Sequence, residues 1–179
     1  MNYERLEKNI CDVIKEEQIK LGYQSEKISL YYPLQSLNRF LKTELTISEM
    51  LSALMDFKKY VKERLGEIEV SNKKDRFCLT LPPQATDYVY EFYHSNPFLE
   101  EFIHTVEKHN ISIETVLQLF HKYSEHVHVE QHPQDDFDYL VYFEDGNPDD
   151  FRYCLTDEGV HIIYHRFTIE DYEDMFGVS

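Results

Sequence analysis

Between positions 121 and 132 the chain gathers groups able to hold a metal ion: His121, His126, His128, Glu130 and His132. Imidazole nitrogens with a carboxylate are a donor set suited to zinc and other borderline divalent ions. On a strand, His126, His128 and Glu130 would share one face, because successive side chains alternate. His121 would precede them by about one helical turn. A metal-activated water held by His121, His126 and His128 would give a metal-dependent hydrolase. The same residues also describe a solvated polar edge, and their spacing matches no established ligand pattern. Imidazoles titrating beside many carboxylates offer a third outcome, a surface whose charge follows pH.

Other chemistry is less well supplied. Asp145, Asn147 and Asp149 reproduce the opening ligand positions of a calcium loop, but Asp150 stands where the loop needs glycine and Thr156 where it needs a bidentate glutamate. A hairpin turn accounts for the segment better. The five glycines, Gly22, Gly66, Gly146, Gly159 and Gly177, stand singly at expected element ends, so none builds a phosphate-cradling loop. Cys11, Cys78 and Cys154 are too far apart in sequence for a CxxC metal site, odd in number, and set in apolar-patterned segments. Buried free thiols are the expectation for all three. Carboxylates are so abundant that spacing alone selects no general acid and base.

Charge is distributed unevenly. Residues 1–85 hold 14 Lys and Arg against 13 Asp and Glu, while residues 86–179 hold 4 against 21, so a net of +1 is followed by a net of −17. All nine histidines fall in the second segment. Two segments so different are expected to form two units, 1–95 and 96–179, with different tasks.

Periodicity supplies the elements. Tyr3, Leu6, Ile10 and Val13 recur at helical spacing, predicting a helix over 3–20 that Gly22 stops. Ser29-Leu30-Tyr31-Tyr32 reads as extended, and Pro33 as the first residue of a helix with Leu34, Leu37, Phe40 and Leu41 inward. Thr46-Ile47-Ser48-Glu49 is a capping box opening a helix that turns Met50, Leu51, Leu54, Phe57 and Val61 inward. Beyond Gly66 the period falls to two: Ile68 and Val70, then Phe77, Leu79 and Leu81, flank a turn over 71–75. Pro82-Pro83 ends this hairpin, and a short helix over about 86–94 follows.

This order resembles a winged helix-turn-helix domain, with Arg76-Phe77-Cys78-Leu79-Thr80-Leu81-Pro82-Pro83 as the last wing strand and its exit. The resemblance covers residues 1 to about 95. It implies that Lys58, Lys59, Lys62 and Arg64 on the capped helix, with Lys73, Lys74 and Arg76 at the wing, would be the nucleic-acid-binding residues. Asp56, Glu63, Glu67, Glu69 and Asp75 dilute that set to a net of about +2 over 56–76, slight for a phosphate-binding face. The whole chain is also similar to an uncharacterised bacterial family of acidic proteins of about this length, on Tyr31-Tyr32-Pro33-Leu34 and Arg76-Phe77-Cys78. That similarity implies no activity.

In the second half, Asn96-Pro97 opens a helix ending near Asn110, with Phe98, Leu99, Phe102, Ile103 and Val106 inward. Ser112 caps another, with Ile113, Val116, Leu117, Phe120 and Tyr123 inward. Four extended runs, 126–131, 137–143, 151–155 and 160–164, predict an antiparallel meander, and Thr168 caps a last helix ended by Gly177. Arg76-Phe77-Cys78-Leu79-Thr80 is echoed by Arg152-Tyr153-Cys154-Leu155-Thr156, which chance between two strands of like pattern explains as readily as duplication.

The expectation is therefore an α+β protein: a winged-helix-like half, then two helices, a meander and a closing helix. No apolar run approaches the roughly 18 residues a membrane span needs, and the start of the chain shows no secretory pattern, which points to the cytoplasm. A non-enzymatic binding module is the leading function, meeting proteins through the winged-helix-like unit, with the acidic half engaging a basic partner or mimicking an anionic one. A DNA-binding regulator with a metal- or ligand-sensing acidic domain, and the metal-dependent hydrolase above, are the alternatives. No cofactor is required by any motif; zinc is the ion the histidine set would suit.

Overall fold

Leu6, Ile10 and Ile14 lie at four-residue steps and are fully buried, which fixes helix α1 over Tyr3–Leu21. The Asn2 side chain accepts from the Arg5 amide at 3.1 Å, filling one of the orphan donors of the first turn. The computed structural model describes residues 1–178, in which the chain divides into two units, Met1–His94 and Ser95–Ser179.

The first unit continues with β1 (Ile28–Pro33), α2 (Leu34–Leu41), α3 (Ile47–Leu65), β2 (Glu69–Lys73), β3 (Arg76–Leu81) and α4 (Pro83–Phe92). The capping box forms: the Glu49 carboxylate accepts from the Thr46 amide at 2.8 Å and from its hydroxyl at 2.6 Å, which holds Glu49 below the usual carboxylate range. Gly66 ends α3 with φ +79°, and a Cβ there would come within 2.7 Å of the Pro82 ring, so both backbone and space call for glycine. Pro33 closes β1 opposite Arg76 instead of opening α2, because an extended φ and ψ suit the strand and the Leu34 amide reaches the Asp75 carbonyl at 2.7 Å. The hairpin turn is tighter than the polar run 71–75 suggests. Ser71, Asn72 and Lys73 pair with β3, leaving Lys74, at φ +56°, and Asp75 at the tip. α4 begins at Pro83, earlier than the expected 86, since proline fits the first turn.

The antiparallel sheet has the order β1-β3-β2. Alternation places Tyr32, Phe77, Leu79 and Leu81 on the face that packs against the helices, all within one core with Leu6, Ile10, Leu54, Phe57 and Val89. The opposite face carries Tyr31, Arg76, Cys78 and Ser71 outward.

The second unit holds α5 (Pro97–Val106), α6 (Ile113–Tyr123), β4 (Val127–Gln134), β5 (Phe137–Phe143), β6 (Arg152–Asp157), β7 (Ile162–Phe167) and α7 (Ile169–Phe176). Caps stand where side-chain chemistry puts them: Asn96 accepts from Leu99 at 2.8 Å, Ser112 from Thr115 at 3.2 Å and Thr168 from Asp171 at 3.1 Å. α5 stops at Val106, short of Asn110. On α6, Leu119 is buried where Leu117 was expected, and Leu117 and Tyr123 are half-buried.

The meander runs β4-β5-β6-β7. One face packs aromatic rings against α5 and α6: Phe102 to Tyr153 at 4.9 Å between centroids, Phe98 to Phe143 at 4.9 Å, Phe120 to Tyr153 at 5.2 Å. Edge-on contacts of this kind add about 0.5–1.5 kcal/mol per pair beyond area burial. The other face is covered by α7, whose Tyr172 lies in a cluster with Phe137, Leu140 and Cys154. Among the described residues no helix is long and apolar enough to cross a membrane.

Candidate functional site

The basic residues of the first unit divide by partner. On α3, Lys59 pairs with Asp56 at 3.0 Å, one helical turn away, and Lys62 pairs with Glu67 just past the helix end. That bond raises Lys62 above the ordinary lysine value and lowers Glu67 below the carboxylate value. Arg64 turns back to α1, where its guanidinium binds both carboxylate oxygens of Glu7, one at 2.9 Å, and lies 5.0 Å from the centroid of Tyr60. Hydrogen bonding to Glu7 pushes the Arg64 pKa up. Lys58 is half-buried and acts on Glu67 through its field. The helix that would enter a groove therefore meets solvent with its cations largely matched by carboxylates.

The hairpin cations differ. Lys73 lies opposite Arg76 in the register, Lys74 occupies the turn, and all three are exposed. Among the described residues none of the three forms an ion pair with a carboxylate. Arg76 instead lies 5.8 Å from the centroid of the Tyr31 ring.

The histidine set disperses in a similar way. His121 is exposed on α6, and His126 precedes β4 with its amide bonded to the Ser124 hydroxyl at 3.0 Å. His128 stacks on Tyr142, 4.6 Å between centroids, with Glu130 at 3.5 Å and Glu144 at 4.0 Å. His132 falls at a break in the β4–β5 register with φ +49°, so it leaves the alternation that would align it with His128, and faces Asp138 at 3.8 Å. The structure thus brings His128 and Glu130 together. Among the described residues no group of three or more His, Cys, Asp or Glu side chains gathers as a metal-binding set.

The calcium-like segment is occupied by its own turn. Asp145 accepts from the Asn147 amide at 3.2 Å, and Asp149 from the Phe151 amide at 3.2 Å and the Tyr153 hydroxyl at 2.6 Å. The bond from buried Tyr153 to half-buried Asp149 is a feature that sequence reading missed. Tyr153 was visible only as a strand residue, and its partner lies four positions away across a turn. Burial pushes the Tyr153 phenol well above its ordinary 10.0.

Among the thiols, burial pushes Cys11 and Cys154 up to about 12. Cys78 departs from the expectation of burial: it is half-exposed, because β3 turns it to the uncovered sheet face. Protonated thiols and phenols are poor nucleophiles at neutral pH, so the most perturbed groups of the chain are held in their unreactive forms.

A family model described as "Domain of unknown function, E. rectale Gene description (DUF3877)" matches residues 3–176. No curated protein and no solved structure matches the chain.

Proposed function

We propose, from the premise that the chain belongs to this bacterial family of unknown function, that it is a non-enzymatic cytoplasmic binding module. Its first unit serves as a winged-helix-like platform for protein contacts, and its second engages a basic partner or stands in for an anionic one. The observation that carries this reading is the charge of the second unit. Residues 95–179 hold 4 Lys and Arg against 19 Asp and Glu, so even complete internal pairing leaves a net of −15. Asp135 and Asp136 are exposed at the β4–β5 turn, Glu144 and Asp145 after β5, Asp157 at the end of β6 and Glu158 just past it. Rim charge of one sign steers an oppositely charged partner and accelerates its association.

The pairing of α3 cations with Asp56, Glu67 and Glu7 supports protein contact over groove binding. A helix that releases counterions from DNA needs cations not already matched by carboxylates. Element order, with β1 on the far side of β3 from β2, supports the winged-helix-like description.

The test is capture from a bacterial extract on the immobilised full chain, beside a variant with Asp135, Asp136, Asp145 and Asp157 changed to asparagine. A partner of net positive charge is expected to bind the wild type, to elute in about 1 M salt, where the Debye length is roughly 3 Å, and to be lost with the variant. Tight, salt-sensitive binding of duplex DNA with no protein partner would overturn the reading.

A further inference from the structure

The outer face of the three-stranded sheet combines features that the protein-partner reading does not use. Register places Tyr31, Cys78 and Ser71 in one row across β1, β3 and β2, and Arg76 and Lys73 in the next. Their alternating neighbours Tyr32, Phe77 and Leu79 are buried in the core, so the row residues have nowhere to turn but outward. There they line a shallow cavity of about 560 Å³ whose walls contain no carboxylate. Glu69, one row further on, is engaged by Lys27 at 3.2 Å, and Asp75 stands at the hairpin tip outside the cavity lining.

The ring of Tyr31 is the second observation. Tyr31 is 60% exposed although its side chain stands on a paired strand, and the Arg76 guanidinium lies over its ring, 5.8 Å from the centroid, so that π and cationic character meet at one place. An aromatic platform bordered by a lysine and an arginine, with a hydroxyl beside them, fits an anion that carries its own flat ring. We propose that this face binds single-stranded nucleic acid, with a base stacked on Tyr31 and the backbone phosphate on Lys73 and Arg76. A strand can splay a base onto an aromatic side chain, while a duplex keeps its bases stacked within the helix. An acidic peptide would use the two cations and leave the ring idle. The contrast with α3 gives the charge argument its force, because Lys59, Lys62 and Arg64 there are paired with carboxylates and Lys73 and Arg76 on the sheet face are not.

The proposal stands apart from the protein-partner reading, and either can fail alone. It is tested on the full chain by fluorescence anisotropy with a labelled oligouridylate of about ten nucleotides, within the site sizes such surfaces cover. Saturable binding is expected. Tyr31→Ala is expected to weaken it by about 10-fold, the size of one stacked base, and Tyr31→Phe to retain it. Changing Lys73 and Arg76 to glutamine should flatten the slope of log K against log salt by roughly 0.7 for each phosphate no longer neutralised. Lys59→Gln on α3 should leave binding unchanged. Tyr31 is exposed, so an unaltered thermal melt is expected to accompany the alanine variant. The proposal is overturned by absence of binding at low salt, by a Tyr31→Ala variant that binds as well as wild type, or by equal competition from duplex, from uridine monophosphate or from polyglutamate.

Discussion

Strands β3 and β6 carry one side-chain pattern into two settings. Arg76-Phe77-Cys78-Leu79-Thr80 and Arg152-Tyr153-Cys154-Leu155-Thr156 both bury the aromatic and the leucine completely on the face that meets helices. Both lie at interior positions of antiparallel sheets. They differ on the other face. Over β6 lies α7, which takes Cys154 into a cluster with Phe137, Leu140 and Tyr172. Over β3 there is no comparable layer within its unit, and Cys78 stays half-exposed between Tyr31 and Ser71. A five-residue pattern thus fixes which side of a strand enters the core, while the fate of the opposite side depends on an element far away in sequence.

The shared inner face is open to the harshest test. Phe77→Ala and Tyr153→Ala each delete a fully buried ring and are expected to cost about 3–5 kcal/mol. Urea denaturation with amide exchange resolved along the chain should place the loss in residues 1–94 for the first and 95–179 for the second. A loss below about 1 kcal/mol at either site would break the equivalence.

The outer faces should separate at the cysteines. Cys154→Ser places a hydroxyl in an apolar cluster, costing about 1–3 kcal/mol. Cys78→Ser sits at a partly solvated position next to the Thr80 hydroxyl, 3.6 Å from its sulfur, and should stay within about 0.5 kcal/mol of wild type. Equal costs would mean that α7 does not seal β6 as its packing indicates.

Sequence patterning reached these inner faces without difficulty, because the period of two in Phe77, Leu79 and Leu81 and the caps at Asn96, Ser112 and Thr168 are local signals. It reached the outer faces poorly. An apolar-patterned strand suggested burial for Cys78, and nothing within β3 reports that its second face stays uncovered. The histidine set shows the same limit: strict alternation would have aligned His132 with His128, but the register break between Gln131 and Gln134 diverts it. The Tyr153–Asp149 bond was out of reach for a related reason, since a turn conformation decides whether residues four apart meet. Tyr31 was legible as a strand residue, yet its exposure depends on which strands become its neighbours.

A third contrast uses acidity. Burial holds the Cys154 thiol up to about 12, against an ordinary value of 9.0. The unfolded chain therefore releases this proton first as pH rises, and native stability is fully present below about pH 9 and declines between 9 and about 12. Cys11 is raised in the same way. A thiol-reactive dye at pH 8 should label Cys78 quickly and leave Cys11 and Cys154 unmodified until denaturant is added. Alkaline melts should be less steep in pH for Cys154→Ala than for wild type. Rapid native labelling of all three thiols would contradict the burial pattern.

The smallest expected difference lies in the arginines that open each strand. Arg152 lies 3.7 Å from the centroid of Tyr142, whose other neighbour is the stacked His128, whereas Arg76 approaches Tyr31 only to 5.8 Å. Closer approach and the half-buried setting of Arg152 reduce the water between cation and ring, which strengthens the attraction from about 0.5 kcal/mol toward 2 kcal/mol. Arg152→Gln is accordingly expected to destabilise by about 1 kcal/mol and Arg76→Gln by no more than about 0.5 kcal/mol. A double-mutant cycle with Tyr142→Leu and Tyr31→Leu isolates each pair from the loss of area alone. Were the Arg76–Tyr31 coupling the larger, the open face would be held for stability, and a ligand would have to displace that cation to stack on the ring.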